Sequence, residues 1–64
     1  MNYRIQIGTK ERQKRDVYTT KEKDDPRTER EFIDYHVRSL DGIKAGDFIK
    51  VSKDGKVLRT YQIF

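Results

Sequence analysis

Apolar and polar positions alternate from the first residues onward, with Tyr3, Ile5 and Ile7 separated by Arg4 and Gln6. A period of two sends successive side chains to opposite faces, so this stretch reads as a half-buried strand, ended by Gly8. The next seven residues, TKERQKR at 9–15, hold five charges and no large apolar side chain. They read as a loop or the tip of a long hairpin. Val17 to Thr20 is β-branched or aromatic throughout and makes the expected second strand, returning antiparallel to the first.

After a charged connection at 21–25 the period changes. Phe32, Ile33, His36, Val37 and Leu40 recur at three- and four-residue intervals, one apolar stripe of a helix. Two starts suit it. Asp25-Pro26 places an acceptor ahead of the free N–H groups and a proline at the first helical position, and Thr28 with Glu31 forms a capping box. Gly42 stops a helix that runs to about Leu40 or Asp41.

Ile43 to Gly46 reads as a turn, Phe48 to Ser52 as a third strand and Val57 to Ile63 as a fourth. Between them Lys53-Asp54-Gly55-Lys56 is a strong hairpin signal, because Asp-Gly suits a two-residue type I′ turn. The expected fold is α+β: a four-stranded, mainly antiparallel sheet in the order ββαββ, with one helix across one face. The alternative closes the same strands into a small barrel capped by the helix. The expected core is Ile5, Ile7, Val17, Phe32, Ile33, Val37, Leu40, Ile49, Val51 and Leu58.

Counting back from the Asp54-Gly55 turn in regular register, Ser52 faces Val57, Val51 faces Leu58, Lys50 faces Arg59, Ile49 faces Thr60 and Phe48 faces Tyr61. Directly opposed residues share a face. Ile49, Val51, Leu58 and Thr60 then form a floor for the helix, and Phe48, Lys50, Arg59 and Tyr61 gather on the other side. Two opposed cations destabilise a strand pair, and an anion lying across them relieves the repulsion. A plain structural account is an aromatic cross-strand pair with solvated cations beside it. Val57 and Ile63 fall on the same face, which would also suit a second buried surface or a dimer contact.

Composition narrows the picture. At 64 residues the chain is a single domain, 1–64, and only 33% of it is hydrophobic against 41% charged. A chain this small buries only about 60% of the surface its unfolded form exposes. With no cysteine, neither disulfides nor a thiolate zinc site can supply the difference. No apolar run approaches a membrane span, and MNYRIQIG has no signal-peptide core, so a cytoplasmic protein without membrane attachment is expected.

The formal net charge of +4 is unevenly placed. Residues 1–23 hold seven Lys or Arg against three acids, residues 24–42 three against six, and residues 43–64 five against two. The cationic character thus belongs to the strands and their loops. On the helix, Arg27–Glu31, Arg30–Asp34 and Asp34–Arg38 are opposite-sign pairs four residues apart, which argues against a recognition helix in a DNA groove. Lys10, Arg12, Lys14 and Arg15 put four cations into six residues, a pattern able to clamp phosphates, although solvated charged loops are common.

Catalytic chemistry is thin. His36, the only histidine, falls on or beside the apolar stripe and has no evident nucleophile partner, so it reads as a boundary residue. Asp24-Asp25 reads as helix capping rather than a metal site, and the scattered glycines make no phosphate cradle. The expected function is a non-enzymatic binding module without metal or cofactor. It would bind nucleic acid weakly and salt-dependently through Lys10, Arg12, Lys14, Arg15, Phe48, Lys50, Arg59 and Tyr61. The alternatives are a protein-interaction module or small regulator, of the kind phages and mobile elements encode, that binds an acidic protein, and a structural homodimer built on Val57, Tyr61 and Ile63 or on a strand edge.

Overall fold

The computed structural model describes residues 1–64. Its elements are β1 (Asn2–Gly8), β2 (Gln13–Thr20), α1 (Glu29–Arg38), β3 (Phe48–Lys53) and β4 (Lys56–Gln62). All neighbouring strands are antiparallel, in the order β2-β1-β3-β4, so the sheet is open and not a barrel. The order follows from composition. β1 and β3 carry the clean apolar alternation and take the centre, while the charge-rich β2 and β4 take the edges, where Lys and Arg discourage pairing with other chains.

The core lies between the central strands and the helix. Tyr3, Ile5, Ile7, Ile49 and Val51 from the sheet meet Phe32 and Ile33 of α1, all at 3% exposure or less. Val17, Val37, Leu40 and Leu58 pack around this centre half-buried, as do Ile43, Tyr61 and Ile63. Ile5 stands opposite both Val17 and Val51, and Ile7 opposite Ile49, which places one apolar row directly beneath the helix. Tyr3 closes the row: its ring lies 5.3 Å from that of Phe32, and its hydroxyl donates to Glu29 Oε2 at 2.8 Å. Lys53 Nζ donates to the same oxygen.

The helix starts at the second of the two expected places. Thr28 is the N-cap, its hydroxyl accepting from the Glu31 N–H while the Glu31 carboxylate accepts from the Thr28 N–H. Asp25 instead accepts from the Arg27 N–H and guanidinium, holding that cation over the rings of Phe32 and Tyr35. The expected Arg27–Glu31 pair is thereby replaced by Arg27–Asp25, and of the helical pairs only Arg30–Asp34 forms, at 4.0 Å. Ser39 caps the C-terminus, slightly before the expected end.

Two departures from the regular reading decide what each face carries. The second strand begins at Gln13, not Val17, and the connection shrinks to residues 9–12. An edge strand can be held by its backbone ladder with every side chain solvated, so hydrophobic alternation does not announce it. The larger departure is in the β3–β4 hairpin. Asp54 and Gly55 take positive φ as a type I′ turn requires, and Lys53 faces Lys56 and Ser52 faces Val57 as expected. Then a bulge intervenes, and Val51 faces Arg59, Lys50 faces Thr60, Ile49 faces Tyr61 and Phe48 faces Gln62. A one-residue slip exchanges faces for everything beyond it. With Leu58 as the extra residue, both Leu58 and the larger Tyr61 reach the helix side, where a regular ladder would have placed Thr60.

Candidate functional site

α1 covers one face of the sheet, and no element covers the other. Across β2, β1, β3 and β4 the open face reads Tyr18–Arg4–Ser52–Val57, then Asp16–Gln6–Lys50–Thr60, then Gln13–Gly8–Phe48–Gln62. A groove of about 610 Å³ lies along Tyr18, Arg4, Ser52 and Val57, and a second hollow of about 270 Å³ lies along Gln13, Phe48 and Thr60. Gln6 and Lys50 line both and form the ridge between them.

The two aromatic residues of this face differ in exposure, Tyr18 being exposed and Phe48 half-buried. Tyr18 is 69% exposed, with the Arg4 guanidinium 5.9 Å from its ring centroid. Phe48 stands opposite Gly8, so β1 offers no side chain beside it. Its other surroundings include Lys10 and Glu11 of the β1–β2 loop.

A chain of hydrogen bonds runs along the same surface. Arg4 donates to both oxygens of Asp16, at 2.9 and 3.1 Å. Gln13 Nε2 donates to Asp16 Oδ2 at 2.6 Å, and Gln6 Nε2 donates to Gln13 Oε1 at 2.8 Å. The Arg4 contact holds the Asp16 carboxyl below the ordinary aspartate range, against the opposing effect of burial.

The eight residues expected to form the site separate into three groups. Lys10 and Arg12 lie in the loop at the Phe48 end of the sheet, and Lys50 lies in the middle of the open face opposite Gln6. Lys10, Arg12 and Lys50 have no carboxylate within ion-pair distance, whereas five other cations do. Lys14 and Arg15 turn to structural partners instead. Lys14 Nζ donates to the buried Asp47 carboxylate at 3.1 Å, and Arg15 donates to the Asp41 carbonyl. Arg59 and Tyr61 are on the helix side: Tyr61 donates to Asp34 Oδ1 at 3.0 Å, and the Arg59 guanidinium lies 5.6 Å from the Tyr61 ring centroid. The expected Lys50/Arg59 opposition therefore does not exist, and the reason is the bulge. Tyr61 and Ile63 pack against the core, so they do not join Val57 in an exposed patch.

Arg4, Gln6 and Tyr18 do not stand out in the sequence as site residues. Alternation in β1 already sends Arg4 and Gln6 away from the core. Val17 pairs with Ile5 over the core, as expected, and alternation then sends its neighbour Tyr18 to the open face beside Arg4.

Elsewhere, His36 packs 4.5 Å from the Phe32 ring and 5.3 Å from the Tyr35 ring, and burial, then Arg27, pushes its pKa down. Asp47 accepts from the Lys44 N–H as well as from Lys14, and these two contacts keep its carboxyl below the ordinary range. No helix is long and apolar enough to cross a membrane. Compared with protein-family models, curated proteins and solved structures, the chain shows no match.

Proposed function

We propose that the chain is a non-enzymatic module that binds single-stranded nucleic acid weakly across its open sheet face. The observation that carries this reading is a solvent-facing sheet surface on which Tyr18 and Phe48 flank Arg4, Gln6 and Lys50. Unpaired bases have free π-faces, and stacking on an exposed aromatic is worth about 1–3 kcal/mol per base. Duplex bases are stacked already, so a flat platform favours single strands. An opposing sheet, in a homodimer, would have to bury Lys50, which has no carboxylate partner, and burying an unpaired charge is unfavourable.

Lys10 and Arg12 in the loop beside Phe48, and Lys50 in the middle of the face, have no carboxylate partner and supply the phosphate contacts. Each neutralised phosphate contributes about −0.7 to the dependence of log K on log salt for single strands, so Lys10, Arg12 and Lys50 give a slope near −2. The test is a titration of a labelled oligothymidylate at several salt concentrations with two charge-matched double variants. Lys10→Gln with Lys50→Gln flattens the slope to about −0.7 and weakens binding. Arg30→Gln with Arg59→Gln, on the helix and the helix side, leaves both unchanged. Equal behaviour of the two pairs rules out the open face, and no binding at low salt rules out the function.

A further inference from the structure

Tyr18 and Phe48 are far apart on the open face, and the strand register sets the distance. Tyr18 stands opposite Arg4, and Arg4 opposite Ser52, so two strand spacings, about 10 Å, separate Tyr18 from β3. Phe48 lies four residues from Ser52 along β3, about 13 Å. The diagonal from Tyr18 to Phe48 is thus about 16 Å. Gln6 occupies its midpoint, paired with Asp16 on one side and Lys50 on the other. Asp16 is already neutralised by its two bonds from Arg4, whereas Lys50 has no carboxylate partner. Gln6 keeps one amide N–H after donating to Gln13. The middle of the diagonal therefore offers donors and positive charge, and each end offers a ring beside a hollow.

We infer that Tyr18 and Phe48 each stack one base of the same strand and that these two bases are not neighbours: at least two nucleotides pass between them, over Gln6 and Lys50. The inference rests on the single-strand reading above. Stacked neighbours in a strand rise by about 3.4 Å, so adjacent bases cannot reach both rings. A strand drawn out to about twice that rise still needs more than two steps to cover about 16 Å. Three steps leave two nucleotides in between. The ligand is then a single strand of four or more nucleotides whose own stacking is opened over the face, and a dinucleotide fills one ring only. The intervening phosphates meet the Lys50 ammonium and the free Gln6 N–H, contacts that carry no base preference.

The probes are labelled abasic 10-mers that carry two thymidines separated by zero to four abasic units, so that phosphate charge is constant and only the gap changes. Affinities are compared at low salt by fluorescence anisotropy, with unbroken oligothymidylate of the same length alongside. Gaps of zero and one let a single ring stack at a time. At a gap of two or three the wild-type chain binds at least about fivefold more tightly, the lower end for one further stacked base. Tyr18→Leu removes that gain, because one ring remains. Tyr18 is 69% exposed, so the change leaves the core untouched. Arg30→Gln, on the helix, keeps the gain. Tightest binding at a gap of zero, no dependence on the gap, or a gain that survives Tyr18→Leu overturns the spacing and leaves the single-strand reading standing. Failure of the unbroken oligothymidylate to bind overturns that reading itself.

Discussion

Gly8 is held to its identity by contact, not by backbone angle. A β-carbon there would stand 2.5 Å from the Arg12 carbonyl oxygen and 2.7 Å from the Gln13 Cα, both backbone atoms with no freedom to move aside. The same residue leaves space beside Phe48, so it shapes the loop and the open face together. Gly8→Ala should cost about 1–3 kcal/mol, the range for forcing extra atoms into a packed site, measured as a fall in the urea midpoint at unchanged slope. Tyr3 gives a pH test. Burial, and then its bond to Glu29, push its hydroxyl up to about 12. The folded value lies above the unfolded one near 10, so the contribution is whole below that pH and is lost as pH rises toward 12. Urea unfolding at about pH 9 and pH 11.5 should show a smaller alkaline loss in Tyr3→Phe than in wild type. An equal loss would mean that Tyr3 ionises as freely in the folded chain as in the unfolded one.

The β3–β4 hairpin shows why a correct turn does not guarantee a correct face. Asp54-Gly55 was legible because its signal is local: two adjacent positive φ angles that Asp and Gly tolerate. The bulge was not, because its advantage comes from seating Leu58 and Tyr61 against α1 and Asp34, residues distant in sequence. The helix start was legible for the same reason as the turn, since Thr28 and Glu31 form a closed local motif. The β1 and β3 alternation likewise identified the core strands and their buried residues, with Tyr3 as an addition. β2 gave only its Val17–Thr20 half, because Gln13 to Asp16 carry no apolar contrast. Deleting Leu58 tests the bulge directly. It should restore a regular ladder that keeps Val51 opposite Arg59 and Ile49 opposite Tyr61, so Tyr61 stays by Asp34 and only the contacts of Leu58 with the core are lost, at a cost of roughly 2–4 kcal/mol. Retention of contacts between the Tyr61 ring and α1 in nuclear Overhauser spectra, together with that destabilisation, is the expected result. A deletion variant as stable as wild type would mean that seating Leu58 on the core is not what favours the bulge.

Two layers and an open face are what this composition supports. The Cα atoms span 37 × 21 × 15 Å, and the shortest dimension accommodates one sheet and one helix. A second covering layer would require apolar side chains that a chain 41% charged lacks. Ion pairs engage five of the fifteen Lys and Arg and five of the eleven acids, and Lys10 and Arg12 in the loop and Lys50 in the middle of the open face are among the cations left without a carboxylate partner. The central claim is that the open face, not the helix, meets the ligand. Backbone amide shifts of the 15N-labelled protein, followed while an oligothymidylate is added at low salt, test it most directly. The largest changes should fall on Arg4, Gln6, Tyr18, Phe48, Lys50 and the 9–12 loop, with residues 29–38 of the helix nearly still. Changes concentrated on the helix, or none at any residue, would contradict it.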